Sequence, residues 1–243
     1  MGGWGAAGLL GGVVAVGASV QRMAGIGFAL VAAPGLVLLV GAGPGVVLSN
    51  CAAGVISAVG LVGGWRQVRV RAMAPLVVAA AASVPLGSWV AARLPEPELL
   101  AVMGLLVTVA VLLVMWGVRV AALRGGRGAL AAGAVSGFMN AAAGVGGPAV
   151  SLYAVNAGWT AREFVPNAQF YGVLVNLFSL FAKGLPRLDG PEWLCVSAGI
   201  AGGAVAGRWL AERVPDGPAR RVVLGLALLG GLTTLGKGLL ALQ

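Results

Sequence analysis

Charged side chains interrupt this chain rarely, and the uncharged runs they leave are long: 1–21, 23–65, 72–92, 99–118, 128–161, 164–182, 193–207 and 222–236. Crossing a bilayer core takes roughly 20 residues of helix. The 43-residue run 23–65 and the 34-residue run 128–161 therefore each hold two segments, either two crossings or one crossing and a re-entrant hairpin. The pattern predicts an all-α, polytopic membrane helix bundle of eight to ten segments. Its apolar segments lie near 2–21, 24–41, 44–64, 72–92, 99–118, 128–139, 143–158, 164–182, 193–211 and 219–240.

Two stretches depart from what lipid favours. "GFMNAAAGVGGPAVSLYAVN" at 137–156 puts amides, clustered glycines and a proline in the middle of an uncharged run, and "GASVQRMAGIGFALVAAPG" at 17–35 is a weaker counterpart. In each, an apolar helix meets an amide side chain, Asn140 or Gln21, and then a glycine-rich break from which a second helix starts. Pro148 fits the first turn of its new helix, where a missing N–H costs nothing. Unpaired backbone groups in hydrocarbon cost several kcal/mol each, so broken helices survive at membrane depth only when buried in protein or lining a cavity. The breaks predict such a cavity.

A new helix start points free N–H groups and the positive end of its dipole at that cavity, which suits an anion. The candidate binding residues are Gly25 and Gly27 from the first break, with Gly144, Gly146, Gly147 and Pro148 from the second. Gln21, Asn50, Asn140, Asn167 and Gln169 add candidate side-chain donors. Arg22 adds positive potential beside the first break, and Arg162 and Lys183 flank the segment at 164–182. All seven acids, Glu96, Glu98, Glu163, Asp189, Glu192, Glu212 and Asp216, fall at or near segment ends, so no negative charge is placed at mid-membrane to hold a cation.

The chain also repeats itself at an offset of 119–120 residues. "GSWVAARLP" at 87–95 matches "GRWLAERVP" at 207–215, and "AGIGF" at 24–28 matches "AGVGG" at 143–147. Gln21 falls opposite Asn140, and Asn50 opposite Gln169. Small residues spaced by four recur as Ala79, Ser83 and Gly87 and as Gly199, Gly203 and Gly207, a spacing that lets helices pack closely. The reading is one transmembrane domain, 1–243, built from repeats near 1–120 and 124–243. Each half holds an odd number of crossings, so the two insert in opposite senses, as in secondary transporters.

Composition agrees with the pattern: 59% of residues are hydrophobic and only 9% charged, where soluble domains carry about a quarter charged. If the chain turns round after each segment, 12 of the 16 basic residues collect on one side, including Arg119, Arg124 and Arg127. Arg93, Lys183, Arg187 and Lys237 lie on the other. The positive-inside rule then makes the 119–127 connection cytoplasmic and puts the N-terminus outside. The first 21 residues have no basic start, so they read as a membrane segment and not a cleaved signal.

With no histidine, and Cys51 and Cys195 set singly in apolar stretches, no metal site, cofactor or disulfide is expected. The net charge of +9 is dispersed among loops, which excludes a nucleic-acid stripe.

The two-half layout, with "AGIGF" and "AGVGGP" in corresponding places and Gln169 in the following segment, resembles the TauE/SafE sulfite exporter family (TSUP) of bacterial inner-membrane permeases. The resemblance covers nearly the whole chain. It implies secondary transport of a small anion, such as sulfite, an organosulfonate or a related carboxylate. The expected partners are that anion and the lipid bilayer; protons are one candidate coupling ion, and a homodimer is compatible with the sequence. The competing readings are an anion channel, which shares paired helix breaks, a membrane-embedded enzyme, and a non-transporting assembly factor. An enzyme would usually need a general base or metal, and no histidine or mid-membrane acid supplies one.

Overall fold

A computed structural model describes residues 3–25, 27–117, 125–213 and 216–243, with side chains described at all of these except 161 and 216–223. Ile26 of the first motif and residues 119–124 of the 119–127 connection lie outside the described residues, as do the side chains of Asp216, Arg220 and Arg221. Ten α-helices run in chain order. They are α1 Gly3–Ala24, α2 Phe28–Val40, α3 Ala42–Leu61, α4 Val70–Arg93, α5 Glu96–Met115, α6 Gly125–Ala143, α7 Gly147–Asn156, α8 Ala161–Lys183, α9 Gly190–Ala211 and α10 Asp216–Leu240. No strand occurs among the described residues.

Among the described residues, six helices are long and apolar enough to cross a bilayer: α1, α3, α4, α5, α8 and α9. Their outward faces carry large apolar side chains such as Val78, Trp89, Phe181 and Val205, the composition of a surface that meets lipid. Two helices are much shorter, α2 with 13 residues and α7 with 10. At 1.5 Å per residue these reach about 20 Å and 15 Å, short of a core about 30 Å thick.

The first break falls at the expected glycines, but the helix before it runs further than the expected segment end at residue 21. The helix begun at Gly3 continues past Arg22 to Ala24 before it ends. A charge does not stop a helix, and near its C-terminus a cation is favoured by the dipole. The stop comes at Gly25 and Gly27, both at positive φ (77° and 122°), which side-chain-bearing residues rarely adopt. Similarly α6 runs on to Ala143 and ends at Gly144, φ 72°.

Packing is dominated by four helix pairs: α1 with α9, α4 with α6, α5 with α10 and α3 with α8. Small residues set the first two. A Cβ added at Gly203 of α9 would meet the Ala15 carbonyl and the Ala18 methyl of α1, and one at Gly87 of α4 would meet the Phe138 carbonyl of α6. The four-residue rows thus bring backbones together, as their spacing predicts. Cys51 and Cys195 are free and half-buried.

Candidate functional site

The two short helices start beside one another, and the space between their first turns is a buried cavity. About 60 Å³ of it is open to water-sized solutes, several times the roughly 10–15 Å³ that holds one water. Gly27, Ala29 and Leu30 of the second helix start line it, as do Gly146, Gly147, Pro148 and Val150 of the seventh. Gln21, Gly25, Ser57, Asn140, Tyr171 and Asn176 complete its polar wall.

These helices begin differently from α8 and α9, although α3, α4 and α5 also open without a side-chain cap. Thr160 and Asp189 open α8 and α9 with full capping boxes, each bonding back and forth with Glu163 or Glu192. α2 and α7 open on Gly27 and Gly146, and neither offers a side-chain cap. First-turn N–H groups have no earlier turn of their own helix to bond. At α7, Pro148 occupies the first turn, as the sequence predicts. Both starts therefore present uncapped donors and a positive dipole end to the cavity.

The amides behind the breaks form two networks. In one, Gln169 Nε2 donates to the Gly25 carbonyl (2.7 Å), and its Oε1 accepts from Gln21 Nε2 (3.1 Å); Gln21 Nε2 donates also to Ser57 Oγ (2.8 Å). In the other, Asn176 Nδ2 donates to the Gly172 carbonyl (2.8 Å), and its Oδ1 accepts from Asn140 Nδ2 (3.1 Å). Asn140 Nδ2 also reaches Ser179 Oγ (3.0 Å). Ser136 Oγ donates to the Gly146 carbonyl (2.7 Å) and so ties the second break to α6. These bonds fix the orientation of the amides behind the cavity wall.

Of the residues singled out from sequence, Gln21, Gly25, Gly27, Asn140, Gly146, Gly147 and Pro148 come together on the cavity wall. The others stand off it. Gln169 is buried one layer behind. Asn50 is fully buried against the Asn140 carbonyl (3.4 Å), and Gly144 turns toward Ser49 and Ala33. Asn167 accepts from the Arg69 backbone N–H (2.8 Å) and donates to the Glu163 carbonyl (2.6 Å), joining the start of α8 to the start of α4. Arg22 packs against Gly207 of α9, and neither Arg162 nor Lys183 lines the cavity. Ser57, Tyr171 and Asn176 line it without having been singled out. They sit on the unbroken helices α3 and α8, where the sequence drew attention to other residues, Asn50, Asn167 and Gln169.

Fold and cavity together define a class: a multi-pass helical membrane protein with a cavity, lined by apolar residues and a few amides and hydroxyls, where two half-length helices begin. Its family is then given by comparison. The sequence profile of the family described as "Sulfite exporter TauE/SafE" matches residues 9–234, and the chain belongs to that family. The family is one of membrane transporters and not of enzymes. No curated protein and no solved structure compared with the chain matches it.

Proposed function

We propose that this protein is a secondary transporter that moves a small anion, sulfite or a related organosulfonate or carboxylate, through the cavity between α2 and α7. The observation that carries this reading is that two glycine-opened helix starts, lacking side-chain caps, converge on one buried cavity whose wall, among the described residues, contains no carboxylate. An anion is what such donors and dipoles hold best. Family membership supports transport and a sulfur oxyanion as cargo.

The mechanism we infer is alternating access between two inverted repeats, near 1–120 and 124–243. Its support is the packing. Exchanging α1–α5 for α6–α10 turns the α1–α9 pair into the α6–α4 pair, and leaves the α3–α8 and α5–α10 pairs as they are. An odd number of crossings per half makes the halves antiparallel, and two equivalent packings of one such structure open it to either side in turn. In this reading the protein lies in the cell's inner membrane with its N-terminus outside and the 119–127 connection cytoplasmic, as the basic residues divide. An interior-negative potential favours anion exit by about 2.3 kcal/mol per charge per 100 mV, so export is the downhill direction.

Direct binding tests the site. A thermal-shift titration of the detergent-solubilised protein should show saturable stabilisation by sulfite, lost in Gly147→Leu and Asn140→Ala proteins that still purify folded. Undiminished sulfite binding by both variants would remove the cavity from the account.

A further inference from the structure

The cavity's hydrogen-bonding character specifies the charge state of its ligand. The bonds around Gln21 and Asn140 run in a fixed direction because each network ends on a backbone carbonyl, which can only accept. The Gly25 carbonyl takes the Gln169 amide hydrogens, so Gln169 presents oxygen to Gln21, and both hydrogens of the Gln21 amide are used on Gln169 and Ser57. The Gly172 carbonyl orients Asn176 in the same way, and the Asn140 amide is used on Asn176 and Ser179. Both side chains line the cavity. What they have left to offer a ligand is an oxygen, an acceptor.

Facing these acceptors are donors. Besides the two helix starts, Tyr171 lines the cavity, is only 3% exposed, and its buried hydroxyl has no hydrogen-bond partner. The neighbouring Ser136 hydroxyl, which donates to the Gly146 carbonyl, lies outside hydrogen-bond geometry from the Tyr171 hydroxyl. A buried, unpartnered hydroxyl on a cavity wall is a group awaiting a ligand atom. No Lys or Arg lines the cavity; the two helix ends supply about +0.5 charge each, about +1 together. That sum balances one negative charge, not two.

We propose that the site takes a singly charged oxyanion that keeps one proton, hydrogen sulfite where sulfite is the substrate. Its bare oxygens are held by the α2 and α7 starts and by the Tyr171 hydroxyl, and its own hydroxyl donates to the Gln21 or Asn140 oxygen. A dianion would bring a second charge without a cation and set an unprotonated oxygen against those acceptors. This rests on the cavity being the anion site. It adds that the proton crosses on the substrate, with no carboxylate relay.

The protein contributes no other titration at the cavity. Tyr171 is the only ionisable side chain on the described wall. Of the ionisable groups on the packed helices, Arg22 of α1 faces α9, and Tyr153 of α7 stacks on Trp159. Cys51 of α3, Arg127 of α6, and Arg162, Glu163 and Lys183 of α8 are off the wall.

The test is a binding titration of the full chain with sulfite across sulfite's second ionisation. Methanesulfonate, which carries one charge throughout, serves as the pH control. Above that ionisation, the apparent Kd for total sulfite should rise about tenfold per pH unit, as the protonated form thins out. Methanesulfonate affinity should stay flat. Tyr171→Phe, matched in shape, should keep the melting temperature and weaken both anions about tenfold. A sulfite affinity that is flat or strengthens with pH, while methanesulfonate still binds, overturns the charge-state proposal alone. Binding of neither anion at any pH overturns the anion site itself, and this proposal with it.

Discussion

Gly146 and Gly147 are neighbours with opposite tolerances. A Cβ at position 146 would lie 2.8 Å from both the carbonyl and hydroxyl oxygens of Ser136 and 2.9 Å from the Asn140 Cβ, whereas one at 147 meets nothing within 4 Å. Gly146→Ala should therefore strain the bond that ties the break to α6 and lower stability by about 1–3 kcal/mol. Gly147→Ala should change stability by no more than about 0.5 kcal/mol, yet narrow the cavity and slow transport. Melting temperature and flux measured on the same two variants check both outcomes. At this scale the sequence was legible where lipid makes a residue costly: Gln21, Asn140 and the glycines stand out because a simple membrane helix avoids them. Tyr171, Ser57 and Asn176 were silent, since each sits singly on an unbroken helix and its role appears only when that helix is packed. Asn50 and Asn167 show the converse. Both are fully buried amides, but each is engaged with backbone away from the cavity.

Helices separate into those shaped by the surface and those shaped by the interior. Where α8 and α9 start, capping boxes end the helix on its own terms; where α2 and α7 start, the glycine caps leave donors for something else. Between long helices, close approach decides the fold. Gly203 abuts the Ala15 carbonyl of α1, while its neighbour Gly202 meets nothing. Gly203→Val should push α1 and α9 apart and lower stability by about 1–3 kcal/mol. Gly202→Ala should be neutral or stabilise by up to about 1 kcal/mol through its better helix propensity. Thermal unfolding in detergent reads both. Element positions followed from the hydropathy pattern because lipid fixes their length. Their ends followed less well: the first segment was expected to end at residue 21, whereas α1 continues to Ala24, up to the glycines where φ becomes positive.

For the whole molecule, the repeat in the sequence and the pairing of helices support the proposed mechanism by separate routes. The nine-residue match at 87–95 and 207–215 falls at the C-terminal ends of α4 and α9, which pack on α6 and α1 respectively. Corresponding parts of each half thus clasp the broken helix of the other half. The starts of the half-helices α2 and α7 both line the one cavity. The charge state of the cargo, by contrast, lay beyond the sequence, because it depends on which way each amide is turned. The central claim is that this cavity carries a small anion by alternating access, and counterflow in proteoliposomes tests it most directly. Vesicles preloaded with sulfite should show saturable uptake of labelled external sulfite that is faster than in empty vesicles, and Gly147→Leu should abolish it. Uptake that is non-saturable and indifferent to internal sulfite would instead mark a continuous pore and contradict the account.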